Sequence, residues 1–183
     1  MRLCHAFAVL ALCACTHAPK EVTLLDGTRL TLPADAKLLA PDAPARKGMR
    51  STDIYELPSL KSTFGVELGS STGESCDAIL GKYKAETERI SVKASTAAAG
   101  GGTGTAHLAG ARFDVIELRS LEGASVLYIE ATLDEVPLLS YLACTSDAFL
   151  QVQLRYRGAA TVTQEARDVL KAVAASSLKP KRP

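Results

Sequence analysis

Segments of alternating apolar residues joined by short turns, and two segments whose apolar residues recur every three or four positions, predict an α+β protein. The expected architecture is an antiparallel β-sheet of about six to eight strands with two packed helices. The short connections carry the antiparallel part of this prediction, because parallel neighbours need a long crossover. The chain has 183 residues, which suits one domain with tails. Hydrophobic residues make up 47% and charged residues 22%, values of a chain that builds a packed core. The net charge of +1 excludes a general nucleic-acid binder, which needs a strong basic excess.

The elements follow in order. VTLLDGTRLTL, Val22 to Leu32, reads as a hairpin whose two arms flank Asp26-Gly27, a dipeptide that accepts the positive φ of a type I′ turn. Pro33 ends the second arm, and a loop with Pro41, Pro44 and Gly48 follows. Strands are expected at Thr52 to Leu57 and Thr63 to Leu68, separated by the turn chemistry of Pro58-Ser59. A helix from about Glu74 to Arg89 gathers Cys76, Ile79, Leu80, Tyr83 and Ile90 on one face, with Ser75 or a neighbouring hydroxyl as its cap. Val92 falls in a short strand. Ser95 to His107 is glycine-rich and reads as a hairpin loop. His107 stands where a third phosphate-loop glycine belongs after Gly102-Thr103-Gly104, and no Gly-Lys-Ser/Thr follows.

Four strands come next, at Arg112 to Arg119, Ser125 to Leu133, Leu138 to Thr145 and Ala148 to Tyr156. Gly123 and Thr145-Ser146-Asp147 supply short connections. The last strand alternates Leu150, Val152, Leu154 and Tyr156 against Phe149, Gln151, Gln153 and Arg155, so one face is buried and one polar. A closing helix spans about Gln164 to Leu178, with Thr161 as N-cap and Gln164 in the capping-box place. Val162, Ala166, Val169, Leu170, Val173 and Ala174 form its packing stripe.

The N-terminus is the most specific segment. Arg2 precedes an apolar run from Ala6 to Leu12, too short to span a bilayer and of the size of a signal-peptide core. The run ends in Leu12-Cys13-Ala14-Cys15, which resembles the lipobox of bacterial lipoproteins. That resemblance implies a signal peptide over residues 1–14, diacylglycerol on the Cys15 thiol and a mature chain starting at Cys15. Two or three acyl chains anchor stably where one holds only marginally. Thr16 in place of aspartate implies export to the periplasmic face of the outer membrane. Residues 15–21 are the lipidated cysteine and tether, 22–178 the single α+β domain and 179–183 a basic tail. The six residues after Cys15 extend at most about 20 Å, so the domain is expected close to the lipid surface.

Cys76 and Cys144 are then the two cysteines left in an oxidising compartment, a candidate disulfide. Two separate buried thiols are the alternative, since spacing does not show that the Cα atoms approach within about 7 Å.

An opening hairpin ending in Leu32-Pro33, two strands, a helix, an antiparallel meander and a last helix ending in Ser177-Leu178 resembles the PsbP-like α/β/α sandwich. The loose motifs TLPADAKLL and EARDVLKAVAASSL go with that order. This group includes bacterial lipoproteins of the DcrB and LpqN kinds, an extrinsic photosystem subunit and a Ran-binding import factor. The resemblance implies a binding or assembly scaffold without a shared catalytic centre, and it transfers no site residue.

One string looks catalytic. Gly69, Ser71 and Gly73 spell the G-x-S-x-G of a nucleophile elbow. A serine nucleophile needs a base and an orienting acid. After signal removal only His17, beside the anchor, and His107, in the glycine-rich stretch, remain. The acids that follow, Glu74, Asp77, Glu86 and Glu88, all fall on or beside one helix. A strand-to-helix turn explains the same letters, with glycines for the tight backbone and hydroxyls for the cap. No metal site is expected: Cys76 and Cys144 lack a second pair, and Asp53 with Glu56 or Asp134 with Glu135 read as solvated charges.

The expected function is therefore a non-enzymatic, membrane-anchored envelope lipoprotein without cofactor, acting as a binding or assembly module with an envelope protein partner. The alternatives are a carrier of a small apolar ligand between helix and sheet and, behind it, a serine hydrolase using Ser71.

Overall fold

The computed structural model describes residues 18–24, 27–40, 49–70, 73–100, 110–144, 148–156 and 161–178. Strands β1 (Lys20–Thr23) and β2 (Arg29–Leu32) pair as a separate antiparallel hairpin. Seven further strands form one antiparallel sheet: β3 (Lys37–Ala40), β4 (Met49–Leu57), β5 (Ser62–Ser70), β6 (Ala111–Leu121), β7 (Ala124–Leu133), β8 (Val136–Cys144) and β9 (Ala148–Tyr156). Their spatial order is β3-β4-β5-β9-β8-β7-β6. Helix α1 (Cys76–Gly100) and helix α2 (Gln164–Ser177) pack against it. The class is the expected α+β. The described strands number nine, because β3 forms where the sequence suggested only loop.

Strand alternation sends the two helices to opposite faces. On β7, Val126 and Tyr128 join one core cluster while Leu127 joins another. On β8, Tyr141 and Ala143 go one way, and Leu142 and Cys144 the other. The larger cluster holds Ala166, Leu170, Val173 and Ala174 of α2 together with Leu30 and Leu32 of the hairpin. The Thr31 amide donates to Ser176 Oγ at 2.8 Å and ties β2 to the helix. The smaller cluster holds Ile79 and Leu80 of α1. The layers are thus α1, the sheet, and α2 with the hairpin. Strand β8 lies between both helices, so every residue from Pro137 to Cys144 is buried.

Turn chemistry sets the registers. Glu122 and Gly123, at φ 51° and 80°, connect β6 to β7, while Asp134 and Glu135, at 49° and 66°, connect β7 to β8. Positive φ at both central residues gives the primed turns whose twist matches the strands. The first hairpin differs from expectation. Leu24 donates to Thr28 O at 2.8 Å and Gly27 to Leu24 O at 2.9 Å, with Gly27 at φ 82°. Leu24 therefore stands opposite Thr28 across a three-residue loop, with glycine in its left-handed position, rather than a two-residue type I′ turn.

Helix α1 also outruns its expected end at Arg89. It continues through Val92, which is helical and 67% exposed rather than in a strand. The Ser95 end of the glycine-rich stretch is helical to Gly100, since alanines favour helix until glycines dilute them. The remainder of that stretch, 101–107, lies outside the described residues, as does the connection at 145–147. At the start of α1, Ser75 Oγ accepts from the Ala78 amide at 3.3 Å, as expected. Helix α2 is capped by Thr163, not Thr161: its hydroxyl accepts from the Ala166 amide at 3.3 Å. Gln164 is the first helical residue, and its amide donates to Asp168 at 2.9 Å instead of closing a capping box.

Candidate functional site

The elbow-like string separates into local causes. Gly69, next to last in β5, stands opposite Phe149, and a Cβ there would lie 2.0 Å from the Phe149 Cζ. The glycine is the slot for that ring, which also packs 5.6 Å from Tyr83. Gly73 has φ 80°, a left-handed turn conformation that glycine adopts without strain. Ser71, His17 and His107 lie outside the described residues. The acids beside Ser71 in sequence are engaged on the solvated helix surface: Glu74 with Lys82 at 2.5 Å, Glu86 with Arg89, and Glu88 with Lys84, while Asp77 is exposed.

Cys76 and Cys144 are joined. The first residue of α1 is bridged to the last residue of β8, with Cα atoms 5.5 Å apart and a sequence separation of 68. The bridge sits in the smaller cluster with Ile79, Leu80, Leu127 and Phe149. Of the two open sequence readings, the disulfide is the one the fold contains.

The start of the domain is pinned beside the sheet's outer strand. Lys20 Nζ donates to Ala36 O at 2.9 Å, and Asp35 Oδ2 accepts from the Ser59 amide at 2.9 Å. The TLPADAKLL segment thus fastens the hairpin to the β2–β3 turn and to the 3-10 turn Pro58–Leu60. Cys15 and residues 1–14 lie outside the described residues, so the structure starts three positions after the cysteine.

One constellation was not foreseen. On the α2 face, Arg167 donates to both oxygens of Glu130, at 2.9 Å each, and the Tyr128 hydroxyl donates to the same carboxylate. The Tyr128 ring stacks 4.8 Å from Tyr141, and the Arg119 guanidinium lies 3.7 Å above its centre. Arg119 in turn donates to Glu117 at 2.9 Å. The Arg167 hydrogen bonds hold the Glu130 carboxyl below its ordinary value, while burial and then the Glu130 bond push Tyr128 upward. A carboxylate held charged is a poor general base, and a tyrosine held protonated is a poor nucleophile. The chemistry of this cluster is that of a fastening between helix and sheet. The available sequence signal was polar residues at every second position, Glu117, Arg119, Tyr128 and Glu130, on a face that otherwise reads as buried.

The two acid pairs read as solvated charges, Asp53 with Glu56 and Asp134 with Glu135, do not converge. Asp53 shares its side of β4 with Tyr55, whereas Glu56 is three positions on and faces the other way. Asp134 and Glu135 are the exposed centre of a turn. Among the described residues, no three His, Cys, Asp or Glu side chains are grouped to hold a metal, and no helix is long and apolar enough to cross a membrane.

The fold has known counterparts. It is similar to cyanobacterial PsbP (CyanoP) from Synechocystis sp. PCC 6803, with a TM-score of 0.58 at 10% identity, covering 96% of each chain. A Pseudomonas aeruginosa protein of unknown function is also similar, with a TM-score of 0.43 at 15% identity, covering 91% of this chain and 99% of that one. No family profile and no curated protein matches the chain. The likeness to CyanoP gives this protein the PsbP-like α/β/α fold, and at that identity it speaks of fold alone.

Proposed function

We propose that this chain is a non-enzymatic lipoprotein of the bacterial cell envelope, held through diacylglycerol on Cys15 and serving as a binding or assembly module. The observation that carries the reading is Leu12-Cys13-Ala14-Cys15 closing a short apolar run directly ahead of a folded domain. Three further features support it. The Cys76–Cys144 bridge suits an oxidising compartment. The G-x-S-x-G glycines have structural reasons, and the Tyr128–Glu130–Arg167 cluster is locked into mutual hydrogen bonds. The PsbP-like fold is a scaffold on which function lives in attached sites rather than in the framework.

Mass spectrometry of native material tests the anchor: the expected N-terminal peptide starts at Cys15 and carries acyl mass. An intact Met1 on a free Cys15 thiol refutes it. Crosslinking in the living cell is expected to capture an envelope protein. Labelling of Ser71 by a fluorophosphonate probe, lost on Ser71→Ala, would make the chain a hydrolase instead.

A further inference from the structure

We infer that the outer edge of β3, through Leu38 and Leu39, is the surface that lies against the lipid bilayer. This rests on the Cys15 anchor proposed above and adds an orientation to it.

Two adjacent leucines are 52% and 54% exposed on an edge strand, among the larger apolar side chains that the described surface leaves open. Their position relative to the chain start selects the occupant. Cys15 and Lys20 are five residue steps apart, at most about 18 Å. Lys20 Nζ reaches the Ala36 carbonyl, and Leu38 is two steps beyond Ala36, roughly 7 Å along the strand. A lipid held at Cys15 therefore brings its own bilayer within reach of these leucines.

The strand itself disfavours a second copy. Leu38 pairs with Tyr55 and Ala40 with Ile54, so Leu39 has no partner in the register and forms a bulge. A bulge bends the edge and interrupts the row of amides and carbonyls that an added strand would need. It also turns a leucine outward without ladder duties. Lys20 and Lys37 suit anionic headgroups, but Glu21 is exposed beside Lys20 and Glu56 stands opposite Lys37, so the leucines supply the adhesion. Each leucine, already half-buried, is expected to favour the docked orientation by about fivefold when its remaining surface enters the interfacial region.

The test uses the full-length lipidated protein in vesicles of phosphatidylethanolamine and phosphatidylglycerol. A polarity-sensitive fluorophore is placed at Leu39→Cys or, as reference, at Val92→Cys on α1, which packs over β6, β7 and β8 at the other end of the sheet from β3. Brominated lipids are expected to quench the probe at position 39 at least threefold more than the probe at position 92. Equal quenching of both by aqueous iodide overturns the proposal. Protection of position 39 from both quenchers assigns the edge to a protein and overturns it equally. The intact mass of the same preparation separates the two ideas: a lipidated chain with a water-exposed probe sinks the docking alone, whereas an unlipidated native chain sinks anchor and docking together.

Discussion

Arg167 on α2 holds Glu130 on β7 with two parallel hydrogen bonds, Nε to Oε1 and Nη2 to Oε2, each 2.9 Å long. The arginine side chain is 36% exposed and the glutamate 13%, so the pair straddles the helix–sheet boundary, and Tyr128 satisfies the carboxylate from below. Arg167 fixes the first turn of the helix while Leu170, Val173 and Ala174 bury the turns that follow.

Glu130→Gln should lower stability by about 1–2 kcal/mol, since a charge-assisted pair is lost and the arginine keeps its access to water. The pH dependence has a definite sign. Glu130 titrates below its ordinary 4.5 in the fold, so its contribution is complete above that value and fades as pH falls through the lower folded value. Urea midpoints measured between pH 7 and pH 3 should fall for the natural chain, and by less for Glu130→Gln.

Opening the Cys76–Cys144 bridge should cost about 4 kcal/mol in the chain-entropy account of a 68-residue separation. Thermal melts with and without reductant should differ by roughly 10 °C. Cys76→Ser with Cys144→Ser should be insensitive to reductant and should match the reduced natural chain. Amide exchange should show the start of α1 loosening first.

Gly69→Ala should destabilise by about 1–3 kcal/mol, because the new methyl meets the buried Phe149 ring and that ring is held by Tyr83 and Leu80. Combining it with Phe149→Leu should cost less than the sum of the two single changes. Strict additivity in denaturant titrations would count against the slot.

Ser62→Ala should stabilise by about 1 kcal/mol. The Ser62 hydroxyl is 3% exposed and finds no hydrogen-bond partner among the described residues, so folding strips its water without replacement. A drop in melting temperature would show that the oxygen has a partner in solution.

Local periodicity carried the secondary structure well where the pattern was strong. The strands from Ala111 to Tyr156 fall within a few residues of their expected bounds, since alternation and turn residues act over a few positions. It failed where neighbours decide. Strand β3 pairs with β4 around a bulge that no alternation announces, and α1 runs to Gly100 through a segment of weak polarity contrast. The glycines around Ser71 were legible as a turn, but the reason for Gly69 lies on β9, eighty positions away.

The sequence by itself determined the α+β class, the antiparallel meander and the lipobox-like start, because each rests on residues close together along the chain. Tertiary structure alone decided that β5 lies beside β9, that Cys76 meets Cys144, and that Arg167 meets Glu130. Such contacts join distant segments. They exist only once hydrophobic burial on both faces of one sheet has brought those segments together, and no short-range pattern encodes that meeting.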